Sequence, residues 1–247
     1  MIKDLENIFI GSHAKIIDAF TSLEKSNKSI ITSEKWKRDE GGGGHTFVIQ
    51  DGNFFDNCAV NFSSISGKKL PKAALGKSIS ESSKYGYRAM GVSVITHPKN
   101  PFIPTSHMNI RLFCVMGSNN TIKKWWIGGG YDLTPYLPFK DDCINWHKEA
   151  KETLDQYNKT FYKKFSKNCN EYFYIPHRKE RRGIGGLFFD NITNMTIEKS
   201  TDMLSDLANT YLESYQSIVS KRKASKFSKE QKEFQLLRRG RYAEFNL

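Results

Sequence analysis

Apolar positions along the chain follow two periods, and the elements change where the period changes. From Leu5 through Ile8, Phe9, Ile16, Ile17 and Phe20 the spacing is helical, so Ile2 to Leu23 predicts an amphipathic first helix, ended by the polar stretch Glu24 to Ser29. Thr46 to Ile49 alternates, Asp51-Gly52 signals a turn and Phe54 to Phe62 returns, which is a hairpin pattern. Ser63 to Tyr85, rich in Ser and Lys, predicts loop. Tyr87 to Thr96 alternates again and delivers His97 to a strand end. Pro98, Pro101 and Pro104 then exclude helix and interrupt any ladder, so Lys99 to Ser106 predicts a crossing loop.

The chain resumes as a strand at Met108. Period two puts His107, Asn109 and Arg111 on one face and Met108, Ile110 and Leu112 on the other. After a turn at Gly117 to Asn120, Lys124 to Ile127 reads as the next strand, which Gly128, Gly129 and Gly130 carry to Asp132. Consecutive glycines let a backbone or a flat ligand come close. Beyond Asp132 the pattern predicts a helix from Asp141 through Trp146 and His147 to Leu154, and another over Tyr157 to Tyr172. A short buried strand follows over Ile184 to Phe189, then the longest helix, Ile197 to Val219. Ser228 and Gln231 fit a capping box for a helix over Lys229 to Leu237, and Arg241 to Leu247 reads as a final strand.

Composition narrows the class. With 247 residues, 38% hydrophobic and 13% aromatic, the chain can bury one sizeable core, and no shift in composition divides it, so a single domain is expected. No apolar run is long enough to span a bilayer. The N-terminus has neither a secretory cleavage site nor an Arg-rich transit pattern, so the expectation is a cytoplasmic location or a mature form whose leader is not shown. Cys58, Cys114, Cys143 and Cys169 are scattered, with no C-x-x-C pair, and read as reduced thiols. A formal charge of +12 favours an anionic partner, which nucleic acid or an anionic small molecule would satisfy equally. The basic run Lys221 to Arg241 lacks a stacking platform and reads first as a solvated helix face. Gly41 to Gly44 is followed by no Gly-Lys-Ser/Thr, which leaves a tight bend or a flap over a site as its role.

The candidate chemistry lies between His97 and Asp132. Arg111 offers a planar fork suited to a carboxylate, and His107 can titrate near neutrality as a general acid or base. Asp132 either accepts N–H groups from a ligand or pairs with Arg111, and in both cases the two would shift each other's titration. His97, His107, His147 and His177 lie too far apart in sequence to form any local metal motif.

The run HPKNPFIPTSHMNIR followed by WWIGGGYDLTPY closely resembles the oxygen-dependent coproporphyrinogen III oxidases. WKRDEGGGG, VNFS, EYFYIPHR, RGIGGLFFD and FQLLRRGRYAEFNL extend the match over nearly the whole chain. The resemblance implies an α+β fold, a large and mainly antiparallel sheet flanked by helices on both faces, and a homodimer. It implies oxidative decarboxylation of two propionates of coproporphyrinogen III to vinyl groups, with O2 as co-substrate and no organic cofactor, giving protoporphyrinogen IX, CO2 and H2O2. Ser93, Asn109, Ile110 and Arg111 match substrate contacts, and His107 matches the proposed proton donor, with Asp132 and Arg111 beside it as catalytic candidates. His97, His107, His147 and His177 match positions described as ligands of a divalent metal, the alternative for His147 and His177 being histidines hydrogen-bonded within the fold. Relatives usually continue past EFNL into a tail bearing further contacts, so the expectation is a domain lacking that tail. Two other readings therefore stand beside the active oxidase: a porphyrinogen-binding homologue impaired in catalysis, and a basic nucleic-acid-binding protein.

Overall fold

Strand follows strand from Ile30 to Thr134, and each pairs with the one before it. In the computed structural model, which describes residues 1–24, 29–71 and 85–245, β1 (Ile30–Lys37), β2 (Gly42–Gln50), β3 (Phe55–Gly67), β4 (Gly86–Pro98), β5 (Thr105–Met116) and β6 (Ile122–Thr134) form an antiparallel meander. A late strand, β9 (Gly185–Ile192), pairs with β6 and completes a seven-stranded sheet. Between β6 and β9 lie α2 (Lys140–Asp155), α3 (Phe161–Tyr172) and a small hairpin of β7 (Tyr174–Ile175) with β8 (Glu180–Arg181). The remaining helices are α1 (Ile2–Thr21), α4 (Ile197–Arg222) and α5 (Lys229–Phe245).

The two faces of the sheet are built differently because alternate residues differ. On one face Val92, Val94, Met108, Ile110, Leu112, Tyr131 and Leu133 are buried, joined in one core with Phe9, Ile16 and Phe20 of α1 and Leu204, Leu207, Tyr211 and Tyr215 of α4. α1 packs on β3 and β4, α4 packs on β5 and β6, and α2 packs against α4. Two buried hydroxyl bonds fix α4 in place: Tyr211 Oη to Ser106 Oγ at 2.8 Å, and Thr96 Oγ1 donating to Tyr215 Oη at 3.0 Å. The other face keeps Ser93, Ile95, His97, His107 and Asn109 only half-buried and Arg111 exposed. Helices reach it at one corner, where Tyr172 at the end of α3 stacks on Phe188 and the last turn of α5 brings Tyr242 beside His97.

Several expected elements differ. β1 is an edge strand whose residues are almost all exposed, so it carries no buried alternation to read. The tight bend of the glycine run is at Gly41 and Gly42 (φ +124° and +88°), where the chain turns from β1 and the Arg38 N–H donates to the Gly42 carbonyl at 3.0 Å; the rest of the run, to Gly44, extends β2, with the indole of Trp36 lying against Gly44, where a Cβ would come within 2.4 Å of it. Of the loop expected over Ser63 to Tyr85, the first part belongs to β3 and residues 72–84 lie outside those described. The final strand expected from Arg241 is the continuation of α5 to Phe245. Its capping box is present, the Ser228 backbone N–H donating to Gln231 Oε1 at 2.9 Å and the Gln231 N–H to Ser228 Oγ at 3.3 Å.

α5 is basic because it staples separate parts of the chain together. Lys232 and Arg239 pair with Asp56 at 3.2 and 2.8 Å, and Arg238 and Arg241 with Glu180 at 3.4 and 3.1 Å. Gln235 and Arg239 donate to the Pro98 carbonyl at 2.9 and 3.0 Å. These cations face inward to acids and a carbonyl, which is not the arrangement of a phosphate-tracking surface.

Candidate active site

β5 and β6 are in register so that His107 stands opposite Asp132, Asn109 opposite Gly130 and Arg111 opposite Gly128. Every second residue of β5 thus presents a functional group to the open face, and β6 answers with one carboxylate and two positions without side chains. The open face carries two adjoining depressions that share Asn109 and Arg111: a groove of ≈ 860 Å³ with Asn61, Ser63, Ser93 and Trp126, and a cavity of ≈ 250 Å³ with His107, Phe173, Arg182 and Tyr242. The larger is within the usual size range of small-molecule sites.

Both ends of this trough are aromatic. Tyr87, Phe113 and Trp126 stack in sequence, with ring centroids 5.6 and 4.4 Å apart, at the end remote from Asp132. At the other end the Arg182 guanidinium carbon lies 3.8 Å from the Phe173 ring centre, 4.4 Å from Tyr242 and 4.8 Å from Phe245. A cation so enclosed is held by ring faces as well as by its counter-ion.

That counter-ion is Asp132. Arg182 Nη2 donates to both carboxylate oxygens at 2.7 and 2.8 Å, and both side chains are only 3% exposed. His107 Nδ1 lies 3.0 Å from Asp132 Oδ1. Burial alone would raise the Asp132 carboxyl, but the hydrogen bond from His107 and the charge of Arg182 outweigh it and hold it below the usual carboxylate range. An ionised carboxylate only accepts, so His107 Nδ1 is the donor and Nε2 is left as the ring nitrogen for chemistry in the cavity.

Arg111 does not pair with Asp132. It pairs with Asp190 on β9 at 3.0 Å, the two side chains 47% and 42% exposed, and the guanidinium lies across Gly128, where a Cβ would come within 2.8 Å of Nε. Ser93 and Asn109 stand on the open face as expected, whereas Ile110 points the other way, 1% exposed in the core under α4. Any contact of Ile110 with a ligand on the open face is therefore one its side chain cannot make.

The four histidines expected around a metal stand apart. His97 Nδ1 bonds Thr105 Oγ1 at 3.0 Å, His107 bonds Asp132, His147 Nε2 donates to the Ile184 carbonyl at 3.0 Å, and His177 Nε2 contacts Glu244. Among the described residues no three His, Cys, Asp or Glu side chains converge as ligands, so the donor set of this chain does not fit a shared ion. Burial and the nearby Arg239, opposed by Asp56, push His97 down to about 4, which leaves it neutral at physiological pH.

Arg182 and Asp190 are the site residues that sequence reasoning missed. Both fall in RGIGGLFFD, the segment that becomes β9 and its lead-in, but neither sits at a spacing that points to its partner.

The family model described as coproporphyrinogen III oxidase matches residues 4–247. An oxygen-dependent coproporphyrinogen-III oxidase of Francisella tularensis subsp. novicida is 43% identical over 235 residues, covering 92% of this chain and 76% of the relative. One from Francisella philomiragia is 42% identical over 252 residues, covering 100% of this chain and 81% of the relative. With the match running from the first helix through the whole sheet to α5, the chain belongs to the coproporphyrinogen III oxidase family.

Proposed function

We propose that the chain oxidatively decarboxylates two propionates of coproporphyrinogen III to vinyl groups, giving protoporphyrinogen IX in haem biosynthesis. The observation that carries the reading is the open sheet face on which His107, Asn109 and Arg111 stand beside a β6 stripped of side chains at Gly128 and Gly130. A four-carboxylate macrocycle whose pyrroles must approach the sheet closely needs such a floor, a cation at its rim and one proton-handling group.

For each propionate the change is R–CH2–CH2–COO⁻ + O2 + H⁺ → R–CH=CH2 + CO2 + H2O2. The C–C bond to the carboxylate breaks, the side chain loses two electrons to O2, and one proton is consumed. The electron-rich porphyrinogen supplies the reducing power, and this chain's residues position it. Arg111 meets a propionate at the exposed rim, where its pair with Asp190 is weak enough to exchange. His107 Nε2 supplies the proton, and Asp132, locked by Arg182, keeps the ring turned the right way. Phe173, Tyr242 and the glycine floor keep the cavity apolar around that nitrogen. The reading carries with it a homodimer and a cytoplasmic location; sedimentation should give twice the chain mass, and cell fractionation should recover the protein without membranes.

The test is to load purified protein with coproporphyrinogen III without oxygen, admit O2 and follow tetrapyrrole, CO2 and H2O2. Protoporphyrinogen is expected with and without chelator, because the four histidines have separate partners. Tight binding without product would favour the impaired homologue, and loss of turnover with chelator alone would put a metal in the reaction.

A further inference from the structure

The open face carries a polar line that runs straight across the strands. Asn61 on β3 stands opposite Ser93 on β4, Ser93 opposite Asn109 on β5, and Asn109 opposite Gly130 on β6. At the usual strand spacing the line is about 14 Å long. Asn61, Ser93 and Asn109 all line the larger groove. Within it Asn61 Oδ1 and Asn109 Oδ1 are both shielded from solvent and have no hydrogen-bond partner among the described residues. Two buried amide acceptors without donors, on either side of Ser93 in one groove, are the pattern left where a ligand supplies the missing N–H or O–H.

Asp132, one row along the strands, is not an alternative acceptor in this arrangement. It is buried, and its oxygens are taken by His107 Nδ1 and by Arg182 Nε and Nη2. A carboxylate has about four lone-pair directions, and these contacts use them.

We propose that Asn61 is a further substrate-contact residue, and that Asn61 and Asn109 form the acceptor pair that receives pyrrole N–H groups of the bound porphyrinogen. The inference rests on the functional reading above and deepens it. A porphyrinogen has four pyrrole N–H donors and no pyrrole nitrogen that accepts, whereas an oxidised porphyrin has two of each. Two carbonyl oxygens therefore favour the reduced ring, because a site built to accept N–H bonds is left unpaired by an analogue that lacks them.

Asn61→Ala and Asn61→Asp separate the roles this side chain could have. The first removes donor and acceptor; the second keeps an acceptor and removes the donor. With coproporphyrinogen III, Asn61→Ala is expected to raise KM and the anaerobic Kd about tenfold, the effect of one unmade bond to a buried acceptor, with kcat nearly unchanged. Asn61→Asp should recover most of that loss. The zinc complex of coproporphyrin III, which has the same carboxylates and no N–H, should bind Asn61→Ala as it binds the unaltered protein. Equal thermal midpoints keep the comparison free of folding effects, and Asn61→Ser, too short to reach, replaces Asn61→Ala if that variant does not fold. The proposal is overturned if Asn61→Ala binds coproporphyrinogen normally, if Asn61→Asp binds worse than Asn61→Ala, or if the zinc complex is weakened as much as the porphyrinogen. Absence of binding and turnover in the unaltered protein would instead overturn the functional reading, and this inference with it.

Discussion

Two carboxylate–guanidinium pairs cross the open face, and they differ in everything except their chemistry. Asp132–Arg182 is bidentate, 3% exposed on both sides, and boxed in by Phe173, Tyr242 and Phe245. Asp190–Arg111 is a single contact at 3.0 Å with both side chains more than two-fifths exposed. Removing one partner of a buried pair leaves an uncompensated charge at a cost of about 3–5 kcal/mol, whereas an exposed pair contributes about 0–1 kcal/mol. The difference assigns the work. The buried pair can serve only as an armature for His107, and the exposed one can give up its guanidinium to an incoming carboxylate.

The largest effects should come from breaking the armature. Arg182→Met keeps an unbranched apolar stem, removes the guanidinium and strands the Asp132 charge, so urea unfolding should show a loss of about 3–5 kcal/mol, with activity lost as well. Asp132→Asn removes the charge but not the shape, and should lower kcat about 10²- to 10⁴-fold while the protein stays folded. The same variant carries a pH signature. The Asp132 carboxyl is held below its ordinary range in the folded protein, so its contribution to stability is complete above about pH 4 and is lost as pH falls through the folded value. Stability against urea below pH 4 should therefore fall more steeply in the unaltered protein than in Asp132→Asn. Parallel pH curves would show that the carboxylate does not hold the site.

The exposed pair should respond in KM instead. Arg111→Ala is expected to change stability by less than about 1 kcal/mol and to raise KM about tenfold or more, since a charge-assisted bond to a propionate is lost. Asp190→Asn should act in the opposite direction. It releases Arg111 from competition, and KM should fall by up to about fivefold, the equivalent of a surface pair. A rise in KM for Asp190→Asn would mean that Asp190 holds Arg111 in place for substrate and does not compete with it.

That contrast was only half legible in the sequence. Alternation along Met108 to Leu112 gave the division of faces correctly, because one face packs under α4 and side-chain period two has no other solution. The motif around Asp132 placed the carboxylate in the site, but its partner was sought in Arg111, close by along the chain. Arg182 lies fifty positions on and arrives through α2, α3 and the β7–β8 hairpin, a route no local spacing encodes. Similarly, Tyr242 and Phe245 read as strand residues by composition, yet at a spacing of three on α5 both reach the Arg182 guanidinium, so tertiary contact overrides β propensity. Gly42 to Gly44 have no side chains from which a period could be read, and β1 buries almost nothing. The histidines show the same limit, since residues far apart in sequence meet only if the fold brings them together, and here each has a separate partner.

The smallest change that still tests the comparison is Gly128→Ala. A Cβ there would lie 2.6 Å from Asp190 Oδ1 and 2.8 Å from Arg111 Nε, and both atoms belong to half-exposed side chains that can move aside. At Gly186, by contrast, the Cβ would meet the Tyr131 carbonyl oxygen at 2.1 Å, which is backbone in the β6–β9 ladder and cannot move without distorting the sheet. Gly128→Ala should therefore cost less than about 1 kcal/mol in urea unfolding, the scale of the exposed pair it disturbs. It should also raise KM about two- to threefold by shifting Arg111, and in the Arg111→Ala background it should do almost nothing, because neighbours that act through one contact are not additive. Full additivity of the two KM effects would show that the methyl group blocks the ring itself, and would make the bare floor of β6, not the exchangeable pair above it, the feature that sets affinity at this end of the groove.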